Sequence, residues 1–163
     1  LWNRDGTLLK TLEGHQDWVH GVAFSPDSRI IASASRDKNV KLWSRDGKLL
    51  KTLKGHKAAV FGVAFSPDYK IIASASRDKT VKLWNINGDL RTTLKGHSDE
   101  VWGVSFSPDS QTIASASSDK KVILWNKGRI LSLDPLSYAC NWVDNYLKNN
   151  PTISSEEQRL CNK

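Results

Sequence analysis

One spacing governs what this chain can fold into. Gly-His pairs end at His15, His56 and His97, and Trp43, Trp84 and Trp125 keep the same interval of 41 residues. Residues 14–54 and 55–95 are identical at 28 of 41 aligned positions, and "ASASRDKNVKLW", "ASASRDKTVKLW" and "ASASSDKKVILW" recur in register. A fixed period of this length means one supersecondary unit stacked on copies of itself. The units are about 14–54, 55–95 and 96–128.

Inside a unit the local signals are those of strands. Short runs of Val, Ile, Leu and aromatic residues are cut by turn residues at intervals of about 8 to 12 positions. Ser25-Pro26-Asp27-Ser28 is a type I turn signal, repeated at Ser66-Pro67-Asp68-Tyr69 and Ser107-Pro108-Asp109-Ser110, because Pro presets φ at the second position. Gly6, Gly47 and Gly88 close loops that need positive φ. The pattern predicts four short antiparallel strands per unit, in the first at roughly 18–24, 29–35, 39–44 and 48–53.

These residues carry a resemblance. Gly14-His15, Asp37 and Leu42-Trp43, repeated as Gly55-His56, Asp78, Leu83-Trp84 and Gly96-His97, Asp119, Leu124-Trp125, resemble the WD-repeat β-propeller family over residues 1 to about 127. One departure is that Ser44, Asn85 and Asn126 stand where the family usually closes on an acidic residue. The fold implied is all-β, a propeller portion of three full four-stranded blades plus part of another, followed by a short α-helical tail. The part-blade is residues 1–13: "LWNRDG" matches "LWSRDG" at 42–47, so Trp2 ends a third strand whose His, Ser and Asp partners are absent. Propellers close with 4–8 blades. The expectation is a C-terminal piece of a longer propeller, or a homodimer in which residues 7–13 of one copy pair with 121–126 of the other.

Every unit also holds a Ser, a His and an Asp, the parts of a hydrolase triad. An active site needs one copy, and no G-x-S-x-G turn is present, so a serine hydrolase is the remote alternative and the chain reads as no enzyme. The resemblance implies instead buried hydrogen-bonded tetrads: His15, Ser33, Asp37 and Trp43; His56, Ser74, Asp78 and Trp84; His97, Ser115, Asp119 and Trp125. Ser35, Ser76 and Ser117 are the other assignment for the hydroxyl. Indole N–H, hydroxyl, imidazole and carboxylate can satisfy one another in that order.

Function belongs where the units differ on a shared face. His20, Phe61 and Trp102 lie five residues after each Gly-His histidine, and Arg36, Arg77 and Ser118 precede each tetrad Asp. The resemblance puts these positions on the propeller face that binds partners. Aromatic residues and Arg dominate interface hot spots, so the partner expected is a protein or peptide, acidic or aromatic.

Charge enters here. The chain has 24 Lys and Arg against 17 Asp and Glu, a formal +7. All of the excess lies in residues 1–128, and 129–163 is neutral. A basic body admits a nucleic-acid-binding module as the alternative, although Lys on outer strands also blocks edge-to-edge aggregation. No apolar run is long enough to span a membrane, and neither a cofactor motif nor a metal-ligand set is present. The only cysteines, Cys140 and Cys161, lie in the tail, and a Cys-free body fits a reducing, cytoplasmic setting. Residues 134–148 predict a helix capped by Asp134-Pro135, with Leu136, Cys140, Val143 and Leu147 on one face. Ser154 and Glu157 signal a second, short helix. "CNWVDNYLKNNP" and "RLC" resemble the C-terminal extension of bacterial, notably cyanobacterial, WD-repeat proteins.

Overall fold

The computed structural model describes residues 1–131. The expected tail helices and both cysteines lie outside the described residues. Two compact units divide the chain, Leu1–Asn126 and Lys127–Lys163, and the described part of the second is one short helix, α1 (Lys127–Leu131).

The first unit is antiparallel β throughout. Its first sheet is β1 (Val19–Phe24), β2 (Ile30–Ser35), β3 (Asn39–Ser44) and β4 (Leu49–Lys54), paired in that order. The second repeats it with β5 (Val60–Phe65), β6 (Ile71–Ser76), β7 (Thr80–Asn85) and β8 (Leu90–Lys95). The third holds β9 (Val101–Phe106), β10 (Thr112–Ser117) and β11 (Val122–Asn126). Among the described residues this third sheet has three strands, not the expected four: after Asn126 the chain turns into α1, where the first two units make a Gly turn and an outer strand. The sequence explains the difference, since "SRDGKLLKTLKG" and "NINGDLRTTLKG" have no counterpart after Trp125.

Turn chemistry sets each hairpin. Ser28 N–H donates to Ser25 O at 2.8 Å, and Ser25 Oγ donates to Asp27 Oδ1 at 2.6 Å. Asp27 Oδ1 also accepts from Arg29 N–H at 3.0 Å, so the side chain completes what the backbone of a tight turn leaves open. Gly6, Gly47 and Gly88 have φ of 84°, 89° and 84°, the left-handed conformation that glycine enters without steric cost. Trp2 bridges Leu8 across the Gly6 turn, so residues 1–9 form the end of a further hairpin.

Because side chains alternate along a strand, each sheet has two faces, and the register assigns them. Val22 pairs with Ser33 and Phe24 with Ile31, while Ile31 pairs with Trp43. Ala23, Ala32, Ala34, Val40, Leu42 and Leu53 fall on the opposite face. The core between the first two sheets joins unlike faces: Ala32, Ala34, Val40, Leu42 and Leu53 of one against Val60, Val63, Phe65, Ile72 and Trp84 of the next. Alanines on the receiving face make room for the indole and phenyl rings of the entering one, as close packing requires. β6 is buried from end to end because its sheet is covered on both sides.

The outermost faces of the stack are open. Val22 and Phe24 on the first sheet are 67% and 55% exposed, where their equivalents Val63 and Phe65 are each 9% exposed. On the third sheet Val122 and Leu124 are 67% and 70% exposed.

A buried tetrad in each sheet and an aromatic row across them

The three predicted tetrads are assembled alike. In the second sheet the His56 ring sits between Asp78 Oδ2, 2.8 Å from Nδ1, and Ser74 Oγ, 2.7 Å from Nε2. Trp84 Nε1–H donates to the same Ser74 Oγ at 2.9 Å. A carboxylate can only accept, so Nδ1 carries the proton and Nε2 accepts from the Ser hydroxyl. The first sheet gives 2.7, 2.7 and 2.8 Å for His15–Asp37, His15–Ser33 and Trp43–Ser33. The third gives 2.8 Å for each of His97–Asp119, His97–Ser115 and Trp125–Ser115.

The hydroxyl in each chain is Ser33, Ser74 and Ser115. Ser35, Ser76 and Ser117 do other work: their Oγ donates to Asp17 O, to Ala59 O and to Asp99 O, and accepts from the N–H of Asp37, Asp78 and Asp119. They tie the second strand of each sheet to the loop that leads into the first strand of that same sheet.

Each Asp is held ionised. Burial pushes Asp119 upward, but hydrogen bonds from His97 and from the N–H groups of Ser98 and Lys121 outweigh it and bring the carboxyl to about 2. Asp78 is driven further below the carboxylate range against the same desolvation, by His56, by the Thr80 hydroxyl and by Lys57 N–H. Asp37 moves in the same direction against its own desolvation, lowered by His15 and by the N–H groups of Gln16 and Asn39.

The residues that differ between units are brought together as well. β1, β5 and β9 are the first strand of each sheet and lie side by side: a Cβ on Gly21 would stand 2.7 Å from Phe61 O, and one on Gly62 3.1 Å from Trp102 O. His20, Phe61 and Trp102 project from these strands one position before the glycines, so they meet. His20 and Phe61 are edge-to-face at 5.2 Å between centroids. Phe61 and Trp102 are stacked at 4.1 Å with 9° between planes. Trp18 extends the row, edge-to-face with His20 at 6.4 Å. Trp18 and Trp102 remain 69% and 52% exposed.

The predicted polar partners flank this row. Arg36 lies over the Trp18 ring at 5.3 Å and reaches Asp17 at 3.7 Å. Arg77 Nε–H donates to Glu100 Oε1 at 2.7 Å. Trp102 Nε1–H donates to Ser118 Oγ at 2.6 Å. A pocket of about 350 Å³ beside the row is lined by Arg36, Arg77, Lys38, Lys57 and Asp17. Trp18 and Glu100 were not among the predicted residues. Their signal was present, since Trp18, Ala59 and Glu100 occupy one position of the repeat.

No cluster of His, Cys, Asp and Glu that could hold a metal occurs among the described residues. No helix among them is long and apolar enough to cross a membrane.

Repeated antiparallel sheets packed face to face, each pinned by a His-Ser-Asp-Trp chain, define a β-propeller repeat protein. The family model described as WD domain, G-beta repeat matches residues 6–44, 47–85 and 88–126. The chain belongs to that family. Each matched stretch joins the outer-strand segment of one sheet to three strands of the next, so 47–85 spans β4 to β7. Among curated proteins, the chain is similar to nuclear distribution protein PAC1 of Tuber melanosporum, 46% identical over 41 residues. It is also similar to nuclear distribution protein nudF of Emericella nidulans, 44% identical over 41 residues. Each match spans 25% of this chain and 9% of the relative, which is one repeat.

Proposed function

We propose that this chain is a non-catalytic scaffold for protein partners, and that a peptide or loop of the partner docks on the Trp18–His20–Phe61–Trp102 row. The row itself carries the reading. Stacked aromatic side chains left half in solvent, with Arg36 and Arg77 beside them, are the composition of an interface hot spot. The two guanidinium groups favour a partner segment that sets carboxylates next to an aromatic or aliphatic anchor. Membership of a repeat family that generally works by binding supports the same class.

The non-catalytic part of the reading rests on access. Ser33, Ser74 and Ser115 are 6%, 0% and 1% exposed, and the Oγ of each already contacts an imidazole and an indole. A nucleophile needs an open approach for its substrate, and these hydroxyls have none.

The test is binding of the full chain to a peptide array in which acidic and aromatic positions are varied. Peptides with both should bind, and the double variant Phe61→Ala, Trp102→Ala should lose them while its melting temperature stays within a few degrees. Retained binding in that variant defeats the reading. Salt-sensitive capture of RNA or DNA by the same variant and by wild type alike would move the function to the basic surface instead. The open faces bearing Val22 and Phe24 and bearing Val122 and Leu124 are, in the same proposal, where a second copy completes a ring. Light scattering on the full chain gives the molar mass that decides it.

A further inference from the structure

A second cleft, of about 590 Å³, opens beside the outer strand of the second sheet. Lys57, Lys79, Lys82 and Lys95 line it, against one carboxylate, Asp78. That carboxylate is already committed. It accepts from His56 Nδ1 at 2.8 Å, Lys57 N–H at 2.9 Å, Thr80 N–H at 3.1 Å and Thr80 Oγ at 2.6 Å. Lys79 is anchored at the rim, its Nζ donating to Ser98 O at 2.8 Å.

Lys82 is the unusual member. It is 9% exposed, and among the described residues the only hydrogen bond of its ammonium group is to Thr93 Oγ1, at 2.8 Å. An ammonium has three N–H donors, so two remain for the cleft. Desolvation pushes its pKa down, Asp78 opposes that, and the like charges of Lys57 and Lys95 add to it. The side chains of Lys57 and Lys95 donate no hydrogen bond to another described residue.

The other two sheets show what is particular here. The first keeps the pair, Lys41 Nζ to Thr52 Oγ1 at 3.0 Å, but has Gln16 at the position of Lys57. The third has Ser98 there and Ile123 in place of Lys82. Only the second sheet brings four lysines to the cleft, with Lys79 Nζ held by Ser98 O and 4.0 Å from Asp99 Oδ1.

We infer that this cleft is an anion site for a phosphate monoester, free or carried on a protein side chain. A phosphate carries close to two negative charges near neutral pH and three strong acceptor oxygens. That matches a buried ammonium with two unused donors and two further cations at the rim. The cleft is large enough for more than the phosphate itself, in the range of small-ligand sites. It shares Lys57 with the pocket beside the aromatic row, so the variants below avoid that residue and leave the row intact.

The experiment is amide NMR of the full chain at fixed ionic strength, titrated with inorganic phosphate, with a phosphoserine peptide, and with the same peptide unphosphorylated. Phosphate should shift the amides of Lys57 and Thr80 with an affinity on the order of millimolar. The phosphopeptide should shift them at least as strongly and its unphosphorylated form should not. Tighter binding of the phosphopeptide assigns the site to a modified partner, and equal binding to a free phosphate. Lys82→Ile, the residue the third sheet uses, should weaken either ligand about tenfold or more, and Lys95→Gln, at an exposed position, about threefold. Shifts that chloride reproduces at the same ionic strength, shifts that both variants retain, or no shift at all overturn the inference.

Discussion

Ser74→Ala removes one oxygen and leaves two buried polar groups without partners. Trp84 is 1% exposed, and its Nε1–H has only Ser74 Oγ to donate to. His56 is 7% exposed, with Nδ1–H fixed on Asp78, so its Nε2 loses its donor. A buried polar group stripped of its partner costs about 1–3 kcal/mol. Two such groups put the loss for Ser74→Ala at about 2–6 kcal/mol, of which a shift of the imidazole would recover part. The equivalent change in the third sheet is a control inside the same molecule. Trp125 is half-buried rather than enclosed, so its N–H can turn to water once Ser115 is gone. Ser115→Ala therefore orphans chiefly the imidazole and costs about 1–3 kcal/mol. Urea unfolding followed by far-ultraviolet circular dichroism measures both. The cycle with Trp84→Phe isolates the indole bond: the double variant should be less destabilised than the sum of the singles by about 1–2 kcal/mol. A cost below about 0.5 kcal/mol for Ser74→Ala would refute the reasoning, because both buried groups would then have found other partners, and equal costs at Ser74 and Ser115 would refute the part assigned to the enclosed indole.

Three further outcomes follow from the geometry. Gly21→Ala places a methyl group 2.7 Å from Phe61 O, a backbone atom that cannot step aside, and should destabilise by about 1–3 kcal/mol through overpacking. A methyl group added at Gly103 would meet nothing within 4 Å, so Gly103→Ala should be close to neutral in the same urea titration, and equal losses would contradict inner-strand contact as the cause. Acid should unfold the chain through the tetrads. The folded carboxyl of Asp119 lies at about 2 against an ordinary 3.8, so its contribution is full above pH 3.8, declines as the pH falls and is gone below about 2. Asp119→Asn should flatten that limb of the curve, and an unchanged acid transition would remove Asp119 from the account. Trp18→Ala, at a position 69% exposed, should weaken peptide capture by the aromatic row without moving the melting temperature, and unchanged capture would end the row at His20.

The tetrads and strands were readable because they are written three times. A register shared by three copies fixed β1 to β3 within a residue, and it marked the Ser, His and Asp as parts of a repeated unit before any distance was known. Other features were silent for physical reasons. Lys38, Lys79 and Lys120 adopt φ of 72°, 69° and 67°, in the turn that carries each tetrad Asp. Lysine has no preference for that conformation, so only the surrounding hydrogen bonds impose it. The depth of Lys82 was hidden too, since a charged residue on a strand reads as solvated until the segments around it are placed over its stem. The stacking of Phe61 on Trp102 needed the side-by-side packing of β5 and β9, which the repeat implies in kind but not in distance.

Sequence identity and sequence difference serve opposite ends in this molecule. Where the units agree, they agree on what one sheet needs from the next: alanines facing a Trp and a Phe, and a polar chain that leaves no buried donor unpaired. Those demands are the same at every junction, so the residues are the same. Once they are met, the junction fixes the separation of β1, β5 and β9, and any residue placed one position before Gly21, Gly62 and Gly103 must meet its counterparts across the sheets. His, Phe and Trp at those three places therefore form a continuous row without any further device, and exchanging one of them alters the surface without touching the tetrads. The same logic separates the lysine cleft: Lys41 and Lys82 are equivalent in the fold, and the difference of Gln16 against Lys57 decides which of the two lies among three further lysines.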